Sequence, residues 1–279
     1  MNLLRGFYTA ATGMIAQQRR TEMLTNNLAN ANTPGYKADQ SSLRAFPEML
    51  ISHFGEKDVP VKNGFSLPTS NVVGQLNTGV YVQETIPTFL QGSLSETNSN
   101  TDIALIDSVM PINEAGGNGS VFFSVATNGG EIRYTRNGNF TLDQQGFLTT
   151  AAGDYVLDEN GATIQLGNDN FSVQPDGSLY QDERYVGKIG IAFAEDPHAL
   201  IKEGNGLLRL DGGGNLPSAY TSDGVQFSLQ QGMLEQSNVN TSRTMTDMMT
   251  AYRAFEANQK VLQAYDRSME KTVNEIGKV

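Results

Sequence analysis

His53 and His198 are the only imidazoles in the chain, and each stands in a loop-like stretch without an acid or nucleophile at a working interval. General acid–base and nucleophilic catalysis need a base within hydrogen-bond reach of a second group, so an isolated histidine reads as a surface residue. Four clusters rich in Asp, Asn and Gly, at residues 143–146, 158–161, 167–170 and 175–177, resemble calcium loops at first sight. None keeps the twelve-residue ligand spacing that closes on a bidentate glutamate. The same residue types tolerate positive φ and hydrogen-bond their own backbone, which makes them turn formers. No glycine-rich stretch sits between a strand and a helix as a phosphate cradle would. With no cysteine, disulfides, thiolate metal sites and a thiol nucleophile are excluded. No catalytic, metal or cofactor-binding residue is assigned, no cofactor is expected, and the chain reads as a non-enzyme.

Charge narrows the partners. Thirty acidic residues stand against 19 basic ones, a formal net charge of −11, and the basic residues cluster only at Arg19-Arg20. Phosphate-backbone affinity has little to rest on, and an anionic membrane surface repels such a chain, so neither nucleic acid nor membrane is expected as a partner. No stretch approaches the ~20 apolar residues of a membrane span, and the first residues lack the apolar run of a signal peptide. The protein is expected in the cytosol, or to leave it without a cleaved signal.

The elements point to an α+β chain with helical ends. Residues 3–31 read as a helix with Leu4, Phe7, Tyr8, Ala11, Met14 and Ile15 on one side, resuming at Met23, Leu24 and Leu28. Gly13 costs about 1 kcal/mol relative to Ala inside a helix, and with Ala10 and Ala11 it suits close approach by another helix. Pro34 and Gly35 end the segment. From about Thr241 a second helix carries a heptad, with Met245, Tyr252 and Val273 at one core position and Met248, Phe255, Leu262, Met269 and Ile276 at the other. Gln259 and Asp266 are the polar members of that seam. An antiparallel pair with Leu4 against Ile276 would set Gln18 and Thr21 near Leu262 and Gln259. Isolated helices are marginal in water, so packing between subunits is favoured over a self-contained hairpin.

Between the helices the signals are β-like. Residues 37–90 read as an extended arm, with a short helix over Leu43–His53 and a strand over Val80–Ile86. Residues 91–220 hold short alternating runs at Val121–Thr127, Ile132–Thr135, Asn139–Leu142, Phe147–Thr149, Tyr155–Leu157, Phe171–Val173, Ser178–Tyr180, Lys188–Phe193 and Leu207–Leu210. Asn-Gly and Asp-Gly joints separate several of them, which predicts a domain of short antiparallel strands. The division is therefore 1–36 for the first helix, 37–90 for the arm, 91–220 for the β domain, 221–239 for a return linker and 240–279 for the C-terminal coiled-coil helix.

Four segments carry a family resemblance. The run from Thr25 to Lys37, with Asn26, Asn27, Leu28, Ala29, Asn30, Thr33, Pro34, Gly35 and Tyr36, closely resembles the N-terminal signature of bacterial flagellar rod and hook proteins. Gln91–Thr97 resembles their joint into the β domain, and Tyr134–Phe140 with Asp143 and Gly146 their β-domain motif. Gln231–Asn240, including Ser237, Asn238, Val239 and Asn240, and Tyr252–Asn258 resemble the C-terminal signature. The resemblance implies terminal helices forming an inner tube domain, self-association into a helical shaft with other rod and hook subunits, and a place in the flagellar basal body. It also implies passage through the flagellar type III export apparatus, for which Phe46 and Leu50 in Phe46-Pro47-Glu48-Met49-Leu50 match the export signal. The arm resembles the insertion of distal rod proteins, the segment assembly that transmits torque from motor to hook. A Gly/Asn-rich loop at 107–120 departs from the family pattern. The alternatives are a hook or proximal-rod subunit, or a different class: an oligomeric, surface-displayed β-domain binding module with Tyr134, Tyr155, Tyr180 and Tyr185 lining its site.

Overall fold

The computed structural model describes residues 3–59, 65–113 and 116–276, with the side chains of Leu3, Leu4, 53–71 and Ile276 outside that description. Two compact units are present, each assembled from separated pieces of chain: Met1–Asn26, Gln40–Ile86 and Ser242–Val279 in one, Asn27–Asp39 and Pro87–Thr241 in the other. The chain is α+β, with two long helices and many antiparallel strands.

The first unit holds most of α1 (Leu3–Ala29) and α2 (Thr241–Ile276). Neither contains proline, and only Gly6 and Gly13 interrupt their side-chain cover. Those glycines are the contact points. A Cβ on Gly6 would collide with the Tyr265 hydroxyl, and one on Gly13 would lie 2.9 Å from Asn258 Nδ2. Thr25 Oγ1 donates to Met248 Sδ at 3.7 Å, so the helices run antiparallel. The expected alignment of Leu4 with Ile276 would set Gly13 against Arg267, more than two turns from Asn258. The observed register is set by the two glycines, which open room for the large side chains opposite.

That register also rotates both faces. On α2 the shielded positions Thr244, Met248, Ala251, Phe255, Asn258, Leu262, Tyr265 and Met269 step by four and three. Met248, Phe255, Leu262 and Met269 are half-buried on this face, whereas Met245, Tyr252 and Val273 turn outward and are 52%, 56% and 71% exposed. Gln259 and Asp266 are exposed too, and the polar residues on the shielded face include Thr244 and Asn258 instead. On α1, Ala10, Ala16 and Leu24 are buried, Phe7, Ala11 and Met14 are half-buried, and Tyr8 and Ile15 are exposed. Helix axes approach most closely where side chains are small, so the Gly/Ala face of α1 wins the contact over its bulky face.

Among the described residues the regular structure of the arm is strand. β1 (Asp39–Ala45) pairs with β4 (Val80–Pro87), and β2 (Met49–Val59) with β3 (Phe65–Leu76). The short helix expected over Leu43–His53 is absent. Pro47 lacks a backbone donor and disfavours helix at Phe46, while β3 offers all of β2 a partner from Met49↔Leu76 to Val59↔Phe65. Phe46 stacks on Tyr81 with ring centroids 5.2 Å apart. Met49, Leu50, Val72 and Val73 are exposed at the base of the hairpin.

The second unit is built on β5 (Leu94–Glu96), β6 (Ile103–Val109), β7 (Ser120–Ala126), β8 (Ile132–Thr135), β9 (Phe140–Leu142), β10 (Leu148–Thr150), β11 (Tyr155–Val156), β12 (Phe171–Val173), β13 (Ser178–Gln181), β14 (Arg184–Lys188), β15 (Ile191–Ala194), β16 (Leu200–Lys202), β17 (Leu208–Leu210), β18 (Gln226–Gln231) and β19 (Met233–Glu235). Eight of them form one sheet, ordered β16-β17-β8-β7-β11-β10-β9 with β15 also on β7. β7 shows why that strand is central. Val121, Phe123 and Val125 enter one core with Ile103, Leu105 and Phe140, while Phe122 enters a second with Tyr134, Leu200 and Leu208. Successive side chains point to opposite faces, so a strand buried on both faces must be a continuous apolar run.

Two expectations change here. Residues 221–239 are not a linker: β18 pairs with β6 and β19 with β5, because Phe227 and Leu229 alternate into the core. The expected strand Lys188–Phe193 breaks into β14 and β15. Ile189 and Gly190 instead bond outward, with Gly190 N–H donating to Leu157 O at 2.8 Å.

A buried charge clamp as the candidate functional site

Inside the β unit, four ionic side chains from distant parts of the chain lie against each other. Lys37 leaves the turn that ends α1, Asp107 sits on β6, Arg136 follows β8 and Glu235 closes β19. Lys37 Nζ donates to Glu235 Oε1 at 2.6 Å and to Leu90 O at 2.9 Å. Arg136 Nε donates to Glu235 Oε2 at 2.9 Å, and its Nη1 to Asp107 Oδ1 and Val121 O, each at 2.7 Å. Nη2 donates to Leu105 O at 3.1 Å. Glu235 takes a third hydrogen bond from Gly92 N–H at 2.8 Å, and Ser120 Oγ donates to Asp107 Oδ2 at 3.1 Å. The Lys37, Arg136 and Glu235 side chains are 4%, 1% and 1% exposed. Two acids and two bases thus close a neutral set with its polar atoms satisfied, the condition under which buried charge is tolerated.

Burial works to raise the Glu235 pKa, but Arg136 and Lys37 outweigh it and hold the carboxyl below its ordinary value of 4.5. Burial likewise opposes the charge on Arg136, and Asp107 and Glu235 more than restore it. For Lys37, burial and the neighbouring guanidinium prevail over Glu235 and lower its pKa from 10.5. Lys37, Arg136 and Glu235 are sealed against one another, and Asp107 is the one part-exposed member of the set. Its physical effect is to fix chain segments to one another.

Groups around the clamp extend the fixing. Asn238 Oδ1 accepts from Ala38 N–H at 2.7 Å while its Nδ2 donates to Thr88 O at 2.8 Å and Leu90 O at 3.1 Å. Asn27 Oδ1 accepts from the Tyr36 hydroxyl at 3.1 Å and from Asp39 N–H at 2.9 Å. Lys202 Nζ lies 4.5 Å from the Tyr36 ring centroid and bonds Lys37 O and Asp39 Oδ1. Gly35 has φ +70°, and a Cβ there would collide with the Arg136 carbonyl carbon; Gly92 is pressed as closely on Gln236 O. The backbone itself joins in, with Gly35 N–H donating to Glu235 O at 2.8 Å.

The signature residues therefore divide. Asn27, Gly35, Tyr36 and Asn238 form the clamp's frame; Asn30 Oδ1 accepts from Thr33 Oγ1 at 3.2 Å and Ser237 Oγ accepts from Val239 N–H at 3.3 Å, which shapes the adjoining turns. Three of the four ions, Lys37, Arg136 and Glu235, lie inside the signature motifs, where a lone charge among small, polar or apolar residues is the signal that could find them. Asp107, expected in the inserted loop, lies on β6 instead. Of the tyrosines considered for a binding face, Tyr134 is core, its hydroxyl accepting Leu216 N–H at 2.7 Å, Tyr155 packs edge-on to Phe147, and Tyr180 packs on Tyr185.

Three family profiles match. Residues 7–37 match the flagella basal body rod protein family, 117–181 the flagellar hook protein FlgE/F/G D1 domain, and 230–275 the flagellar basal body rod FlgEFG protein C-terminal family. Over 279 residues the chain is 47% identical to the flagellar hook-basal body complex protein FlhO of Bacillus subtilis, covering 99% of this chain and 100% of that protein. It is 31% identical over 277 residues to the flagellar basal-body rod protein FlgF of Caulobacter vibrioides, at 98% of each. With the flagellar basal-body rod protein FlgG of Bacillus subtilis the identity is 30% over 284 residues, covering 98% of this chain and 99% of the relative.

The chain belongs to the flagellar basal-body rod and hook family. Each matched segment supplies one ion of the clamp: Lys37 the first, Arg136 the second, Glu235 the third. In this rod/hook-family chain the three family regions are thus also the three parts of one electrostatic contact.

Proposed function

We propose that the chain is a structural subunit of the flagellar basal body, of distal-rod type, which polymerises through α1 and α2 into a helical shaft that transmits torque from motor to hook. The observation that carries this reading is the outer flank of the helices. The inner seam is filled by the Gly/Ala face of α1, yet Tyr8, Ile15, Met245, Met249 and Tyr252 remain exposed at 50–61%. A soluble monomer gains nothing from large apolar side chains kept in water, whereas a second copy packing there removes them from it. Heterologous contacts propagate into an open filament when the rotation between copies does not close, and that is the symmetry a shaft needs. The helices form the inner tube of that filament and other rod and hook subunits continue it at its ends.

Assembly outside the cytoplasm requires passage through the flagellar type III export apparatus. The Phe46 and Leu50 signal is read on the unfolded chain in this scheme, since in the folded unit Phe46 is stacked on Tyr81 while Leu50 is 69% exposed. The test of function is sedimentation of the full chain beside a variant carrying Tyr8→Ser, Ile15→Ser and Tyr252→Ser. The expected result is polymer from the first and a monomer of unchanged helix content from the second. Equal polymerisation by both would remove the flank from the assembly.

A further inference from the structure

Met245, Met248 and Met249 fall within five residues of α2. Met245 and Met249 lie one turn apart on the flank of Tyr252 and are 52% and 57% exposed. Met248 is half-buried, and its sulfur accepts the Thr25 hydroxyl at 3.7 Å. Among the described methionines, Met49 on β2 is the other one exposed to this degree, at 59%. A thioether is soft and oxidisable, and its reactivity toward small oxidants follows its access to solvent.

We propose that Met245 and Met249 are a modification site for hydrogen peroxide on the unassembled subunit, and that the oxidised flank no longer accepts a second copy of the chain. This rests on the assembly reading above. In each step the sulfur attacks one peroxide oxygen, the S–O bond forms as the O–O bond breaks, and water leaves. Sulfur is oxidised by two electrons and peroxide is reduced by the same two. An apolar, flexible side chain becomes a polar one on a surface that must dry on packing, and methionine sulfoxide reductases reverse the change. A copy seated on the flank covers both sulfurs, so the site is open before assembly and closed after it. Met248 reacts more slowly because it is half-buried and its sulfur has less access to solvent.

The experiment treats full-length protein with dilute hydrogen peroxide, maps oxygen uptake by peptide mass spectrometry, and then follows sedimentation and circular dichroism. Met245 and Met249 should be oxidised several-fold faster than Met248 and about as fast as Met49. The oxidised protein should keep its helix signal, fail to polymerise, and recover after reductase treatment. In Met245→Leu/Met249→Leu the extent of polymerisation, whatever its starting level, should be the same with and without peroxide, whereas Met49→Leu should give no protection. The proposal is overturned if Met248 reacts as fast, if oxidised protein polymerises like untreated protein, or if oxidation melts the helices. Untreated protein that does not polymerise while Met245 and Met249 still react first would remove the assembly reading, and the gating with it, while leaving the chemistry mapped.

Discussion

Replacing Glu235 with Ala should be among the most damaging single changes in the β unit. The substitution strips Lys37 of its 2.6 Å partner, Arg136 of its 2.9 Å one and Gly92 N–H of its acceptor. Breaking a buried ion pair from one side costs about 3–5 kcal/mol, because the other charge stays buried without compensation. Arg136 keeps Asp107 and two carbonyl oxygens, so the stranded charge is that of Lys37. Its pKa is already lowered by burial and by Arg136, so it can discharge, and the loss should fall at about 3 kcal/mol, the low end of that range. The prediction is sharpened by a cycle. Lys37→Met alone leaves Glu235 with Arg136 and Gly92, but in the Glu235→Ala background it removes the stranded ammonium and should return about 1 kcal/mol or more. Urea unfolding read by near-ultraviolet circular dichroism suits the test, since the chain has ten tyrosines and no tryptophan. A loss below about 1 kcal/mol for Glu235→Ala, or strictly additive effects in the cycle, would mean that water reaches the four ions and that they do not act as one contact.

Other outcomes follow from the same geometry. Gly35→Ala forces a side chain into φ +70° against the Arg136 backbone and should cost about 1–3 kcal/mol in the same urea assay; an effect near zero would refute the close approach. The lowered Glu235 pKa stabilises the fold fully above its ordinary 4.5, and the contribution disappears as pH falls from there through the folded value. Stability should accordingly drop below that pH in the parent and less steeply in Glu235→Gln; identical acid slopes would count against the linkage. Residues 27–241 should give a folded, protease-resistant β unit, while residues 91–220 should not, because β5 and β6 lose β19 and β18 and expose their edges. A cooperative unfolding transition from 91–220 would show that those pairings are dispensable.

The sequence by itself determined much of what rests on local period and local chain chemistry. The two helices, the stop of the first one before the Pro34-Gly35 turn, and most strands of the β unit follow from apolar spacing and turn residues close in the chain. Membership of the rod and hook family was legible in Asn26–Lys37 and Gln231–Asn240 for the same reason: each motif is contiguous. Only the tertiary structure decided which helix faces meet. A heptad names a stripe, but Gly6 and Gly13 choose the partner stripe by the room they leave for Tyr265 and Asn258, and that turned Met245 and Tyr252 outward. The hairpin over Met49–Leu76 and the pairing of β18 and β19 were hidden because a strand's partner is set by backbone bonding to distant residues, not by its own pattern. The clamp is the extreme case. Lys37 and Glu235 are 198 positions apart, and the favourable energy of their contact exists only when folding removes both from water and sets Arg136 between its two carboxylates.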